Sequence, residues 1–225
     1  MRNRLSRAGT WLYEYRSGAL FLVFALLGLI FYELEATLVP KYWMASRLDA
    51  YIPFLPVFVI PYLAWFFFIG IGLAVLFFRD RETFVPTISL LCAGMAAAIV
   101  VFILFPNGQR LRPRNVGEGP CAWLVAHLIY ANDTNTNCCP SLHVMNQLAI
   151  YAGLCRSRLL ESRPGVRRAL WALTVLVCAS TVFIKQHSIE DVVVALILEF
   201  FLRPFFFPEP APSARVRAKR TVTEY

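Results

Sequence analysis

Long apolar runs constrain this chain more than any other feature of its sequence. A helix needs about 20 apolar residues to cross the hydrocarbon of a bilayer. We predict six such spans, at residues 19–39, 55–78, 86–105, 142–155, 169–186 and 189–207. The chain is 58% hydrophobic and 16% charged, more apolar and less charged than a soluble protein of similar length. The sequence therefore predicts an all-α, polytopic membrane protein with six transmembrane helices in one bundle.

A single membrane domain accounts for most of the chain. We assign residues 1–18 to a cytoplasmic segment, 19–207 to the six-helix domain and 208–225 to a basic, disordered tail. The first apolar run is longer than the core of a signal peptide, and no small-residue cleavage site follows it. We therefore interpret this run as an anchor that the protein retains in a plasma or inner membrane.

The basic residues predict how the bundle is oriented. Of the 22 lysines and arginines, 16 fall in segments that share the side of the N-terminus when six spans are counted. Cytoplasmic segments carry an excess of these residues, so both termini are expected inside. The long loop 106–140, between helices 3 and 4, and the turn at His187 then lie outside. Basic clusters that flank apolar runs fit orientation in a bilayer better than nucleic-acid binding.

Two histidines stand at the ends of apolar runs on this outer face. His187 and Asp191 are four residues apart and share one face of a helix. The carboxylate would fix the tautomer of the imidazole and stabilise its cation. His143 follows Ser141, where a helix start offers unpaired N–H groups to an anion. Ionisable groups at a membrane are costly and are usually functional.

Arginine and lysine side chains add positive charge to the same face. They are Arg110, Arg112, Arg114 and Lys185. Guanidinium groups bind phosphate through paired hydrogen bonds. With the histidines they predict a phosphate pocket in which one imidazole attacks phosphorus and the other protonates the leaving oxygen. The outer segments carry no carboxylate cluster suited to Mg²⁺, so we expect no metal and no other cofactor.

Three motif fragments between about residues 105 and 191 resemble the type 2 phosphatidic acid phosphatase superfamily of integral-membrane lipid phosphatases and phosphotransferases. That family carries Lys-x6-Arg-Pro, Pro-Ser-Gly-His and Ser-Arg-x5-His-x3-Asp. The fragments here are Arg112-Pro113, Pro140-Ser141-Leu142-His143, and Ser180-Thr181 followed by His187 and Asp191. The chain departs from the family pattern at Phe105, Leu142 and Thr181, where the family has lysine, glycine and arginine.

The resemblance implies a catalytic assignment. His187 would be the nucleophile that forms a phosphohistidine, Asp191 its orienting partner and His143 the general acid. The implied activity is metal-independent hydrolysis of a phosphomonoester or diphosphate of a membrane lipid. The sequence Pro-Ser-Leu-His also resembles the inositol phosphorylceramide synthase branch, so transfer of a phosphoryl headgroup to an alcohol stays open. A non-enzymatic binding protein of the same fold is a third alternative.

The resemblance also implies three phosphate ligands, namely Arg112, Ser141 and Ser180. We infer Lys185 and either Arg110 or Arg114 as further ligands, because the chain lacks two cations of the family pattern. Contact with lipid headgroups is the favoured alternative role for Arg110 and Arg114.

Cysteines and glutamates provide further expectations. An outer loop is oxidising, so we predict a disulfide from Cys121 to Cys138 or Cys139. A zinc site is disfavoured there, because no second pair of ligands has the right spacing. The glutamates within apolar runs, Glu33, Glu35 and Glu199, are expected near helix ends or turned inward, without a catalytic role.

Overall fold

Helices form most of the protein in the computed structural model, which describes the backbone of residues 2–208 and the side chains of residues 17–208. They are α1 (Arg2–Thr37), α2 (Val59–Arg79), α3 (Arg81–Leu104), α4 (Pro120–Leu124), α5 (Leu142–Arg156), α6 (Pro164–Phe183) and α7 (Ile189–Phe206). Two short strands, β1 (Tyr42–Trp43) and β2 (Asn107–Gly108), pair in parallel. The predicted tail lies outside the described residues from position 209 onward.

Four helical segments within the described part of the chain are long and apolar enough to cross a membrane. They are Ser17–Thr37, Pro56–Arg79, Arg81–Leu104 and Pro164–Phe183. Helix α5 has 15 residues, about 22 Å of helix, which is shorter than the hydrocarbon of a bilayer. Helix α7 has 18 residues, but they include four charged side chains: Glu190, Asp191, Glu199 and Arg203. The structure therefore supports an all-α membrane protein, and its described part contains four candidate membrane spans.

Helix α5 lies at the centre of the bundle and packs against α2, α3, α6 and α7. Two glycines permit this close packing. A Cβ atom on Gly153 would collide with the side chain of Thr87 on α3, and one on Gly72 of α2 would collide with Ile150. Fully buried apolar side chains such as Leu76, Phe84 and Ile88 complete this part of the core. The position of α5 fixes where its first residues, and with them His143, lie.

The buried side chain of Asn107 ties the end of α3 to the segment before α5. Its Nδ2 donates to the carbonyl of Cys139 at 2.8 Å. Its Oδ1 accepts from the backbone N–H groups of Cys138 at 2.9 Å and of Cys139 at 2.8 Å. One amide thus satisfies three backbone groups that burial would otherwise leave unpaired. The long loop is consequently anchored immediately before the first residues of α5.

Capping interactions bring the starts of α5 and α7 together. Ser188 and Asp191 form a capping box at the start of α7, each side chain accepting from the other's backbone N–H. The carboxylate of Asp49 accepts from the N–H of Ile189 at 2.9 Å. The N–H of Ser141, the cap of α5, donates to the carbonyl of Asp191 at 3.2 Å. Both helices therefore begin at the same end of the bundle.

Candidate active site

His143 and His187, which are 44 residues apart, meet where α5 and α7 begin. Nε2 of His187 lies 3.4 Å from Nδ1 of His143, and the ring centroids are 5.5 Å apart. His187 is 6% exposed, so the pair is largely shielded from solvent. A gap of 3.4 Å has no room for a phosphoryl group, so an anion must bind beside the ring pair or displace one ring.

The carboxylate of Asp191 orients His187. Its Oδ2 lies 3.2 Å from Nδ1 of His187 and accepts from the N–H of Ser188 at 2.9 Å. Because a carboxylate accepts hydrogen bonds, this contact favours the proton on Nδ1. The lone pair of the imidazole is then on Nε2, which faces His143. This arrangement suits a nucleophilic nitrogen whose cation is stabilised by a neighbouring charge.

His143 is linked to a second carboxylate through Tyr62. The Tyr62 hydroxyl lies 2.7 Å from Nε2 of His143 and 3.1 Å from Oδ2 of Asp133. The indole of Trp65 donates to the carbonyl of His143 at 3.0 Å. One chain of polar contacts therefore connects Asp133, Tyr62, His143, His187 and Asp191. Sequence reasoning missed Tyr62 and Asp133, because one lies in an aromatic run and the other in a polar loop.

The histidines line one end of a cavity of about 430 Å³. Its apolar walls include Phe24, Phe31, Phe66, Met95 and Leu128. Its polar end includes Glu35, Asp133, Asn137, His143, Asn146, Gln186 and His187. The cavity is thus apolar on one side and polar where the imidazoles lie. Such a space suits a ligand with a hydrocarbon part and a polar head.

The guanidinium of Arg112 bonds to the protein and does not line the cavity, and its role as a phosphate ligand stays a prediction. It donates to the carbonyls of Asp133 at 2.8 Å and Thr134 at 2.6 Å, and to Oε1 of Gln186 at 2.8 Å. It also stacks over the ring of Tyr130 at 4.4 Å. The physical reason is that the loop folds back and places its carbonyl groups around the cation. Arg112 therefore supports the cavity wall from behind.

Lys185 and Arg110, the other predicted cationic phosphate ligands, also have partners within the protein. The ammonium of Lys185 donates to the carbonyls of Asp49 at 2.9 Å and Ile52 at 2.6 Å. Burial lowers the pKa of Lys185, and the charge of Asp49 partly opposes this effect. Arg110 is exposed and stacks over Trp43 at 3.7 Å. Neither side chain lines the cavity, since each has a partner in the loops outside it.

The two predicted serine ligands are buried in helix ends. Ser180 and Ser141 are both 0% exposed. The hydroxyl of Ser180 donates to the carbonyl of Val177 at 2.6 Å. The hydroxyl of Ser141 accepts from the N–H of Val144 at 3.4 Å. Backbone groups therefore occupy both hydroxyls, and neither residue lines the cavity.

The predicted disulfide does not form in the structure. All six cysteines lie in the described part of the chain, and all six are free thiols. Cys121 belongs to α4 and packs against the cluster that contains Val125 and Ile129. The backbone N–H groups of Cys138 and Cys139 are held by the side chain of Asn107.

One cysteine lies beside the histidine pair. Potential ligand atoms of Cys138, His187 and Asp191 lie within 4.8 Å of one another. Burial raises the pKa of the Cys138 thiol well above its usual range, and the charge of Asp191 adds to this effect. Metal independence stays a prediction, and a metal ion held by these three side chains would contradict it.

Comparisons with known proteins add no support to the resemblance that the motifs indicate. No protein-family model, no curated protein and no solved structure matches the chain. The kinship with type 2 phosphatidic acid phosphatases thus rests on the motif fragments and stays a prediction.

Proposed function

We propose that this protein is a membrane enzyme that cleaves a phosphate ester of a lipid through a phosphohistidine at His187. The single observation that carries the proposal is the alignment of Asp191, His187 and His143 at the polar end of a largely apolar cavity. A lipid places its phosphate in water and its chains in hydrocarbon. The cavity offers both environments to one molecule.

In the proposed reaction, Nε2 of His187 attacks phosphorus while Asp191 holds the Nδ1 proton. The nitrogen–phosphorus bond forms as the bond to the leaving oxygen breaks, and His143 gives that oxygen a proton. Water then attacks phosphorus, passes a proton back to His143 and releases His187. The positive end of the α5 dipole, beside His143, favours negative charge at this place.

The proposal includes six membrane crossings, with α5 and α7 completing the four candidate spans. Both termini would be cytoplasmic, and both imidazoles would face the extracytoplasmic side. The distribution of lysine and arginine supports this orientation. Helix α5 is short for a spanning helix, but its central position surrounds it with protein and leaves little of it for lipid to cover.

Purified full-length protein should be assayed against a panel of lipid phosphates for released phosphate, together with acid-labile labelling of the protein. His187→Ala should abolish both turnover and labelling. His127→Ala is the matched control. His127 is exposed on the helical segment Val125–Ile129, which follows α4, and it does not line the cavity. Full turnover by His187→Ala would refute the nucleophile. Absence of turnover and labelling for every lipid would favour a non-enzymatic binding protein.

A phosphotransferase is the second candidate, and one observation favours it. Among the described residues, no lysine or arginine lines the cavity. A phosphomonoester carries up to two negative charges and needs more cationic compensation than a phosphodiester, which carries one. A headgroup-bearing diester therefore suits this cavity. A diester labelled in its phosphoryl headgroup, incubated with and without an added diacylglycerol or ceramide acceptor, distinguishes release of that headgroup to water from a new lipid product.

A further inference from the structure

Carboxylates and imidazoles are the charged or chargeable groups that line the cavity in the described part of the chain. They are Glu35, Asp133, His143 and His187. Arg112 and Lys185 donate to backbone carbonyls and do not line the cavity, so neither of them contacts a ligand there. An acidic end of this kind repels a dianion and attracts a cation. The charge of the cavity therefore favours a ligand that carries a cationic group in addition to its phosphate.

Glu35 and Asp133 form the acidic part of the cavity. Oε1 of Glu35 accepts from the backbone N–H of Thr134 at 2.7 Å and from its hydroxyl at 2.6 Å. Because Asp133 precedes Thr134, its carboxylate lies within electrostatic reach of Glu35. Asp133 accepts from Tyr62 at 3.1 Å. Neither carboxylate has a salt bridge to a lysine or arginine among residues 17–208.

Two buried amides point independently to a polar ligand. Asn137 is 4% exposed, Asn146 is 5% exposed, and both line the cavity. Neither polar atom of the Asn137 amide has a hydrogen-bond partner, and Oδ1 of Asn146 has none. Buried amides are almost always paired. Unpaired groups on a cavity wall are the places where a ligand makes its hydrogen bonds.

Helix α1 contributes side chains both to the acidic part of the cavity and to its apolar walls. Phe24, Phe31 and Glu35 all line the cavity, and 11 residues of helix between the first and last span about 16 Å. Aromatic side chains of α2, Tyr62 and Trp65, line the same polar region. Ring faces attract alkylammonium groups. One cavity therefore joins an apolar channel, an acidic and aromatic patch, and the imidazole pair.

We propose that the cavity binds a zwitterionic phosphodiester lipid, whose phosphate lies at the imidazoles and whose alkylammonium group lies at Glu35 and Asp133. This inference rests on the proposed function, because it names the substrate class of the same site. A single negative charge at the histidines and a single positive charge at the carboxylates match the two charged parts of the cavity's polar end. Ethanolamine and choline headgroups share this chemistry.

The test compares four lipids that carry the same chains: phosphatidylethanolamine, phosphatidylcholine, phosphatidylglycerol and phosphatidic acid. Turnover of each is measured in mixed micelles with the full chain, and binding of each is measured by native mass spectrometry. The variants are Glu35→Gln and Asp133→Asn, which keep the accepting oxygens and remove the charges. Glu33→Gln is the matched control, since Glu33 is exposed on α1 and does not line the cavity.

We expect wild type to turn over at least one amine lipid with a kcat/KM at least tenfold above phosphatidylglycerol and phosphatidic acid. Combining Glu35→Gln with Asp133→Asn should remove that preference, while Glu33→Gln keeps it. Equal or better turnover of phosphatidic acid by wild type would overturn the inference and leave the proposed function standing. If no lipid is turned over, the proposed function fails. Binding then decides the inference alone: a tenfold preference for amine lipids supports it, and equal binding overturns it.

Discussion

Tyr62, on α2, holds its hydroxyl 2.7 Å from Nε2 of His143, at the start of α5. The two residues are 81 positions apart, so only the packing of α2 against α5 brings them together. The contact restrains the imidazole from the side opposite His187. It also connects His143 to Asp133, which accepts from the same hydroxyl. Tyr62 is therefore a positioning residue for the proposed general acid.

Tyr62→Phe should lower kcat by about 10- to 100-fold, because a hydrogen bond to a group that becomes charged is worth about 1.5–3 kcal/mol. KM should change little, since the aromatic ring stays in place. The measurement is a steady-state assay on the best lipid of the panel. Tyr32→Phe, on the exposed face of α1, is the control and should keep wild-type kcat. An unchanged kcat in Tyr62→Phe would show that Tyr62 does not act as a positioning residue for His143.

Lys185→Met should reduce stability more than it affects substrate binding. The ammonium of Lys185 is the donor for the carbonyls of Asp49 and Ile52. Methionine would leave these carbonyls without that donor, at a cost of about 1–3 kcal/mol. Thermal unfolding in detergent should show a lower Tm, and KM should stay near the wild-type value. A large rise in KM at unchanged Tm would instead restore the role as a phosphate ligand.

Removal of metal should leave activity intact. No step of the proposed reaction uses an ion, so Cys138, His187 and Asp191 are expected to work without one. Turnover is measured after dialysis against EDTA, together with the metal content of the protein. Cys138→Ala should retain activity within about threefold, because the thiol has no step in the proposed reaction. Loss of activity on chelation, with recovery on adding Zn²⁺, would contradict metal independence.

Gly153→Ala should destabilise the bundle, since the added Cβ would collide with Thr87 where α5 crosses α3. Overpacking of this kind costs about 1–3 kcal/mol, and a lower Tm in detergent measures it. Thr87→Ala in the same chain should recover much of the loss by making room. Gly70→Ala is the control, because a Cβ at that position meets nothing within 4 Å. An unchanged Tm in Gly153→Ala would indicate that the helices are less closely packed.

Local sequence patterns predicted most of the helices and the contact between His187 and Asp191. Apolar runs favour helices wherever they occur in the chain. The contact at 3.2 Å joins residues four apart, but His187 precedes α7 and its cap Ser188, so the turn into the helix, and not a shared helix face, brings the two side chains together. The cap of α5 at Ser141 is equally local. These features depend on residues close in the chain, so the sequence alone was sufficient to predict them.

Tertiary packing decided the electrostatics of the site. Arg112 and Lys185 were expected at phosphate because long cationic side chains near a motif can reach it. Their partners are instead carbonyls of remote loops, which no spacing in the sequence indicates. Glu35 was noted as a charge in an apolar run, but its contact with Thr134, 99 residues away, depends on how α1 packs. The sequence determined which charged side chains the protein has. The tertiary structure determined which of them line the cavity, because a long side chain binds the nearest partner that packing brings within reach.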